Sequence, residues 1–225
     1  MALEFPEVPS TVLDTAVEQA LLALQDNTTP QRLVTYYNPA EDYVGQSFAT
    51  LDPQDPDRIT AVDLMATAML NVSFPASAVR RLLSSENQQI ISSKLKALPT
   101  VPLEETSATD FQAMSDFYDT VKPLLTNATS ENSNRWVTAS KLVARKRPDL
   151  FPVRDRVVCG YLGILSLNNR VKDWVVFRHL MQDQNIQSHL SSLSERVHEA
   201  ASGVPIKLDS EPLRLLDAAL WMHAR

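Results

Sequence analysis

Cysteine and glycine are both scarce in this chain. The single cysteine, Cys159, rules out an internal disulfide, and its apolar neighbours Val157, Val158 and Leu162 indicate a packed thiol rather than a reactive one. Only 4 of the 225 residues are glycine. That scarcity disfavours turn-rich β architectures, glycine-rich phosphate loops and Rossmann-type dinucleotide sites.

Targeting and membrane-spanning signals are also missing from the sequence. The first residues carry neither the basic segment nor the apolar core of a signal peptide. No apolar run approaches the roughly 20 residues that a membrane-spanning helix needs. We therefore expect a cytoplasmic protein with no membrane partner.

Signals for metal binding and for serine hydrolysis are lacking as well. The four histidines lie in the last quarter of the chain, and no pair has the i, i+4 spacing of a zinc helix with a third ligand nearby. The chain contains no Gly-x-Ser-x-Gly elbow. We expect no metal site and no cofactor.

Apolar residues recur at helical spacing along most of the chain. Helices are predicted near residues 11–25, 60–72, 75–83, 88–98, 109–121, 135–146, 155–166, 171–183, 186–200 and 210–223. The predicted fold is all-α, a compact multi-helix bundle forming one domain over residues 1–225. An irregular proline-rich segment is expected at 26–58, and the polar run 126–134 is the candidate boundary if the bundle has two lobes.

Positive charge is concentrated in one segment of an acidic chain. The formal net charge is −6, yet residues 135–156 carry a local net charge of +5, which leaves −11 elsewhere. Such a patch can neutralise phosphates of a nucleic acid. The candidate DNA contacts are its cations, Lys141, Arg145, Lys146, Arg147, Arg154 and Arg156. In the alternative interpretation, these cations pair internally with acidic residues and hold two lobes together.

The same segment resembles a known family of DNA-repair enzymes. Thr138-Ala139-Ser140-Lys141-Leu142, followed by Arg147-Pro148-Asp149-Leu150-Phe151-Pro152-Val153-Arg154-Asp155, is similar to the stretch after the hairpin in helix-hairpin-helix DNA glycosylases. The resemblance implies that Asp155 is a catalytic carboxylate at the mouth of a pocket for a flipped base.

The resemblance is incomplete. The hairpin glycines of that superfamily are absent from residues 133–137, and Val137 stands where bifunctional members keep a nucleophilic lysine. A lyase step is therefore unsupported, and the implied core is a degenerate one. Asp155 also has a structural interpretation, because an aspartate at the start of a helix is a favourable N-cap.

A second resemblance spans nearly the whole chain. Its most distinctive stretches are Tyr36-Tyr37-Asn38-Pro39, Arg58-Ile59-Thr60-Ala61-Val62-Asp63 and Leu213-Arg214-Leu215-Leu216-Asp217 with Trp221. Together with the Arg145–Asp155 stretch, they resemble an uncharacterised bacterial family, with actinobacteria as the expected source. This resemblance implies no activity.

Two smaller groups of residues complete the candidates. Tyr36, Tyr37, Tyr43 and Arg58 form a candidate stacking pocket for a base or a peptide, or else the rings pin a loop to the core. Arg214, Asp217 and Trp221 fall on adjacent turns of the last predicted helix, and we interpret them as a structural ion pair beside an aromatic anchor.

Two functions from different classes follow from these observations. The first is a nucleic-acid-associated helical protein with a degenerate glycosylase-like core. The alternative is a non-catalytic helical module for protein interaction or regulation, favoured by the overall acidity and the incomplete catalytic set. Nothing in the sequence indicates homo-oligomerisation.

Overall fold

The architecture was analysed in a computed structural model that describes residues 4–126 and 135–225. Within these ranges every regular element is a helix and no strand occurs, which confirms the predicted all-α fold class. The α-helices are α1 (Ser10–Gln25), α2 (Thr29–Tyr37), α3 (Ser47–Thr50), α4 (Ala61–Ala68), α5 (Ala76–Leu83), α6 (Ser85–Lys96), α7 (Ala108–Leu124), α8 (Trp136–Lys146), α9 (Arg156–Tyr161), α10 (Arg170–Gln182), α11 (Gln184–Ala201) and α12 (Pro212–Ala224). Short 3-10 helices lie at Leu103–Glu105 and Leu165–Leu167.

The helices are grouped into two units. Unit 1 contains Ser47–Phe151 and therefore α3 to α8, and unit 2 contains Phe5–Gln46 with Pro152–Arg225 and therefore α1, α2 and α9 to α12. The lobe boundary predicted at 126–134 falls on residues 127–134, which lie outside the described residues, so it stays a prediction.

Unit 1 is built around α7 and α8. Helix α7 packs against α5, α6 and α8, and α4 also packs against α8. Five apolar or aromatic residues of α7 are buried, and one of them, Phe117, meets Phe151 with ring centroids 6.0 Å apart. Side-chain caps fix where α4 and α7 begin: Thr60 with Asp63 and Ser107 with Asp110 form capping boxes.

Unit 2 is built around α2 and α12. Helix α2 packs on α11 and α12, α1 packs on α10, α11 and α12, and α9 packs on α12. Most residues of α12 are buried, so this helix forms the centre of the unit. Cys159 is buried here, and burial raises the pKa of its thiol to about 12, which agrees with the predicted packed thiol.

One part of the secondary-structure prediction was wrong. Residues 26–58 were expected to be irregular because of their prolines. Residues 38–46 and 51–58 are irregular, but the segment also contains α2 and α3. Pro30 lies in the first turn of α2, where the ring replaces an N–H group that has no partner within the helix. A proline at this position starts a helix instead of breaking one.

Candidate functional site

The C-terminal end of α8 is anchored to one buried carboxylate. Asp63 accepts a hydrogen bond from Arg145 Nε at 3.1 Å through Oδ1 and one from Lys146 Nζ at 3.0 Å through Oδ2. The Arg145 and Asp63 side chains are 0% and 1% exposed, and that of Lys146 is 3% exposed. Two cations predicted to face solvent therefore share one internal acid.

Both cations also bind backbone carbonyls of α3 and of the segment that follows it. Arg145 donates from Nη1 to Phe48 O at 2.6 Å and from Nη2 to Leu51 O at 2.5 Å. Lys146 Nζ donates to Asp55 O at 2.6 Å. Helix α3 has only four residues and residues 51–55 are irregular, and the two cations give the carbonyls of this stretch charge-assisted donors.

The remaining candidate cations differ in their surroundings. Lys141 is buried and donates to Leu70 O at 2.8 Å, and Arg154 is buried against Asp173 with Nε to Oδ2 at 2.9 Å. Arg147 binds Asp149 through two nitrogens, at 2.9 and 2.7 Å, and both side chains are about one-quarter exposed. Arg156 is exposed at the start of α9.

The prediction of an exposed basic surface was wrong for four of its residues, Lys141, Arg145, Lys146 and Arg154. Their acidic and carbonyl partners lie within the same unit, so the positive charge of the segment is compensated locally. This placement gives no support to DNA binding by these four residues. DNA contact by Arg147 and Arg156 stays a prediction.

Asp155 is the N-cap of α9. Its Oδ1 accepts a hydrogen bond from Val158 N–H at 2.9 Å, and the residue is 8% exposed. The structural interpretation of Asp155 is therefore confirmed, while its catalytic role stays a prediction.

The candidate tyrosines pack against each other in unit 2. Tyr36 meets Tyr37 edge-on at 4.9 Å between ring centroids, and Tyr36, Tyr43 and Trp221 lie 6.0 to 6.1 Å from one another. Tyr36 and Tyr37 are buried, and Tyr43 and Trp221 are half-buried. This arrangement agrees with rings that pin the loop after α2 to α12. Arg58 belongs to unit 1, so the four-residue pocket stays a prediction.

A buried polar cluster lies behind these rings. Arg214 donates to Asp217 Oδ2 at 2.9 Å, which confirms the predicted ion pair, and the same oxygen accepts from Val153 N–H at 2.8 Å. Tyr37 donates its hydroxyl to Asp209 Oδ2 at 2.9 Å. Asp209 was not predicted as part of this cluster, because its partner Tyr37 lies 172 positions away in the chain.

Burial controls the titration of this cluster. It raises the pKa of Asp217 to about 6, although Arg214 opposes the shift, and it raises the pKa of Asp209 as well. Burial also raises the pKa of Tyr36 to about 12. Although burial opposes a charge on Arg214, its neighbours Asp217 and Asp209 raise the pKa of the guanidinium. The cluster keeps one cation between two carboxylates that resist ionisation.

A polar groove lies on the surface of unit 1. Its volume is about 560 Å³, and its walls are the loop before α4 and one face of α6. The lining residues are Asp55, Asp57, Arg58, Gln88, Gln89, Ser92, Ser93 and Lys96. The sequence prediction missed this groove because it joins two segments about 30 residues apart that carry no common motif.

The described ranges contain neither a metal-ligand cluster nor a membrane-spanning helix. Residues 4–126 and 135–225 contain no cluster of three or more histidine, cysteine, aspartate or glutamate side chains placed to hold a metal ion. None of the helices in these ranges has the length and apolar character needed to cross a membrane.

The family comparison covers most of both units. Residues 30–224 match the profile described as a family of unknown function (DUF6308). The chain belongs to this family. The DUF6308 match runs from the second residue of α2 to the end of α12, so it includes the Asp63 anchor, the groove and the buried polar cluster. No match was found among curated proteins or among solved structures.

Proposed function

We propose that this chain is a non-catalytic helical binding module in which four of the mid-sequence cations, Lys141, Arg145, Lys146 and Arg154, belong to its own framework. The shared contact of Arg145 and Lys146 with Asp63 carries this proposal. A phosphate would have to displace a buried carboxylate and several carbonyls to reach these groups. Removing one partner of a buried pair leaves an uncompensated charge, so such an exchange is unfavourable.

The alternative is a nucleic-acid-associated protein with a degenerate glycosylase-like core. Its remaining support comes from Arg147, Arg156 and Asp155. Arg147 is already paired with Asp149, and Asp155 already accepts the Val158 N–H. We therefore place the binding module first. The cytoplasmic location stays a prediction.

A DNA-binding assay distinguishes the two proposed functions. Fluorescence anisotropy with short labelled duplex and single-stranded DNA should be measured at about 50 and about 200 mM salt, since phosphate contacts weaken steeply over that range. The binding module predicts only weak binding, the same for wild type, Arg147→Ala and Arg156→Ala. Salt-steep binding that either variant removes would establish the nucleic-acid function instead.

Base release tests the enzymatic part of the alternative. Duplexes that each contain one common lesion should remain intact after incubation with the protein. Release from any of them, abolished by Asp155→Asn in a variant that keeps its helical circular dichroism spectrum, would overturn a non-catalytic function.

A further inference from the structure

We propose that the polar groove of unit 1 binds a peptide segment that carries a carboxylate, with Arg58 as the group that recognises the carboxylate. This inference rests on the proposed binding function and names the chemistry of the partner. The volume of about 560 Å³ lies within the roughly 300 to 1,000 Å³ typical of ligand pockets.

Charge pairing around the groove leaves one guanidinium available. Asp57 and Lys96 form an ion pair at 3.3 Å, and Asp55 Oδ1 accepts the Asp57 N–H at 2.9 Å. The Arg58 side chain is exposed and has no hydrogen-bond or ion-pair partner among the described residues. A guanidinium presents a planar fork of donors that fits a carboxylate with two parallel hydrogen bonds.

The α6 wall offers groups that match a peptide backbone. Gln89 and Ser92 lie three positions apart on the groove face of α6, and neither side chain has a partner within residues 4–126 and 135–225. An amide and a hydroxyl each both donate and accept hydrogen bonds, so together they can pair with backbone N–H and C=O groups of a bound segment.

Gln88 provides a second, independent sign of a ligand. This residue lines the groove, is 5% exposed and donates from Nε2 to Ile59 O at 2.8 Å and to Leu82 O at 2.6 Å. Those two bonds fix the orientation of the amide, and its Oε1 accepts no hydrogen bond from any described residue. A buried acceptor without a donor is costly, and a peptide N–H entering the groove would supply the missing bond.

The charge of the groove disfavours a polynucleotide as its occupant. Asp55 and Asp57 lie beside Arg58 in the same loop, and the four charged lining residues sum to a formal charge of zero. Successive phosphates would lie against carboxylates, whereas a single carboxylate needs only Arg58. The structure therefore favours a peptide over a nucleic acid at this groove.

Isotope-labelled protein is titrated with the capped peptide Gly-Gly-Glu-Gly-Gly, and separately with Gly-Gly-Gln-Gly-Gly, while its amide NMR signals are recorded. We expect shifts in the amide signals of Asp55, Asp57, Arg58 and residues 88–96. We also expect the glutamine peptide to bind at least about tenfold more weakly, the loss typical of one charged hydrogen-bonded pair. Arg58→Gln should remove the preference for glutamate. Arg80→Gln, which changes another exposed arginine of unit 1, should keep that preference.

Three outcomes would overturn the peptide assignment. Inorganic phosphate that binds through Arg58 as tightly as the glutamate peptide would make the groove a simple anion site. Duplex DNA that shifts the same amides and loses binding in Arg58→Gln would make it a nucleic-acid site. If neither peptide shifts these amides at millimolar concentration, the groove is not the binding site. The proposed non-catalytic function is contradicted only by a positive result in the DNA-binding or base-release assay.

Discussion

Asp63 and Arg145 lie 82 positions apart in the sequence and form a buried contact of 3.1 Å between Oδ1 and Nε. The carboxylate also caps its own helix, because its Oδ2 accepts the Thr60 N–H at 2.9 Å. One acidic residue thus fixes the start of α4 and the end of α8 together.

Replacing Asp63 should destabilise the protein strongly. Asp63→Asn leaves Arg145 and Lys146 buried without an anion, and we expect the free energy of unfolding to fall by about 3 to 5 kcal/mol. Urea denaturation followed by circular dichroism measures this loss. The matched variant is Asp149→Asn, whose partner Arg147 is partly exposed, and it should lose no more than about 1 kcal/mol. Equal losses in the two variants would contradict the anchoring role of Asp63.

Asp217 should make the stability of unit 2 depend on pH. Because its folded pKa is raised to about 6, the folded state holds the proton more tightly than the unfolded chain does. The resulting stability is present below the unfolded pKa of about 4 and is lost as the pH rises through about 6, a change of about 3 kcal/mol.

The test compares pH profiles of unfolding. Between pH 4 and 7 the wild-type free energy of unfolding should fall relative to that of Asp217→Asn, which cannot ionise at this position. Asp14→Asn changes an exposed carboxylate of the same unit and should follow the wild-type profile. Parallel profiles for wild type and Asp217→Asn would show that Asp217 is ionised throughout this range.

Asp155 should act through helix capping. Asparagine is as good an N-cap as aspartate, so Asp155→Asn should keep most of the stability, whereas Asp155→Ala should lose about 1 kcal/mol. Thermal unfolding of both variants checks this difference. A loss in Asp155→Asn equal to that in Asp155→Ala would mean that the charge, rather than the cap, is what Asp155 contributes.

Gly45 should tolerate substitution poorly. It has a φ of +50°, and an added Cβ would lie 3.0 Å from Tyr36 O and 3.3 Å from Tyr37 Cα. Gly203 also has a positive φ, of +90°, but a Cβ there would meet nothing within 4 Å. Both alanine variants should lose about 1 kcal/mol in the free energy of unfolding through backbone strain. Because of the close contact, the loss in Gly45→Ala should exceed that in Gly203→Ala by at least about 1 kcal/mol, as measured by chemical denaturation. Similar losses would show that the Tyr36 backbone moves away freely.

The parts of the structure that depend on nearby residues were predictable from the sequence. Helical periodicity identified the all-α fold, and the spacing of Arg214 and Asp217 identified their ion pair, since both signals lie within one or two turns. The capping role of Asp155 was also among the predicted interpretations, because it follows from the residues just after it.

Long-range partners could not be predicted in the same way. A run of cations has the same sequence whether it faces solvent or a buried acid, and nothing near Asp63 in the sequence pairs it with Arg145. The groove could not be predicted for the same reason, because Arg58 and Ser92 come to line one groove only after α6 folds beside the loop that precedes α4. Proline led to the error at α2 because its effect depends on its position in the helix, and Pro30 lies in the first turn.

Lysine reactivity in the native protein tests most directly whether the mid-sequence cations belong to the framework. After brief acetylation, mass spectrometry should find Lys141 and Lys146 unmodified, while the exposed Lys96 and Lys207 are modified nearly completely. In denaturant all four should react alike. Modification of Lys141 and Lys146 at the same rate as Lys96 and Lys207 in the folded protein would place these cations on the surface and contradict the account.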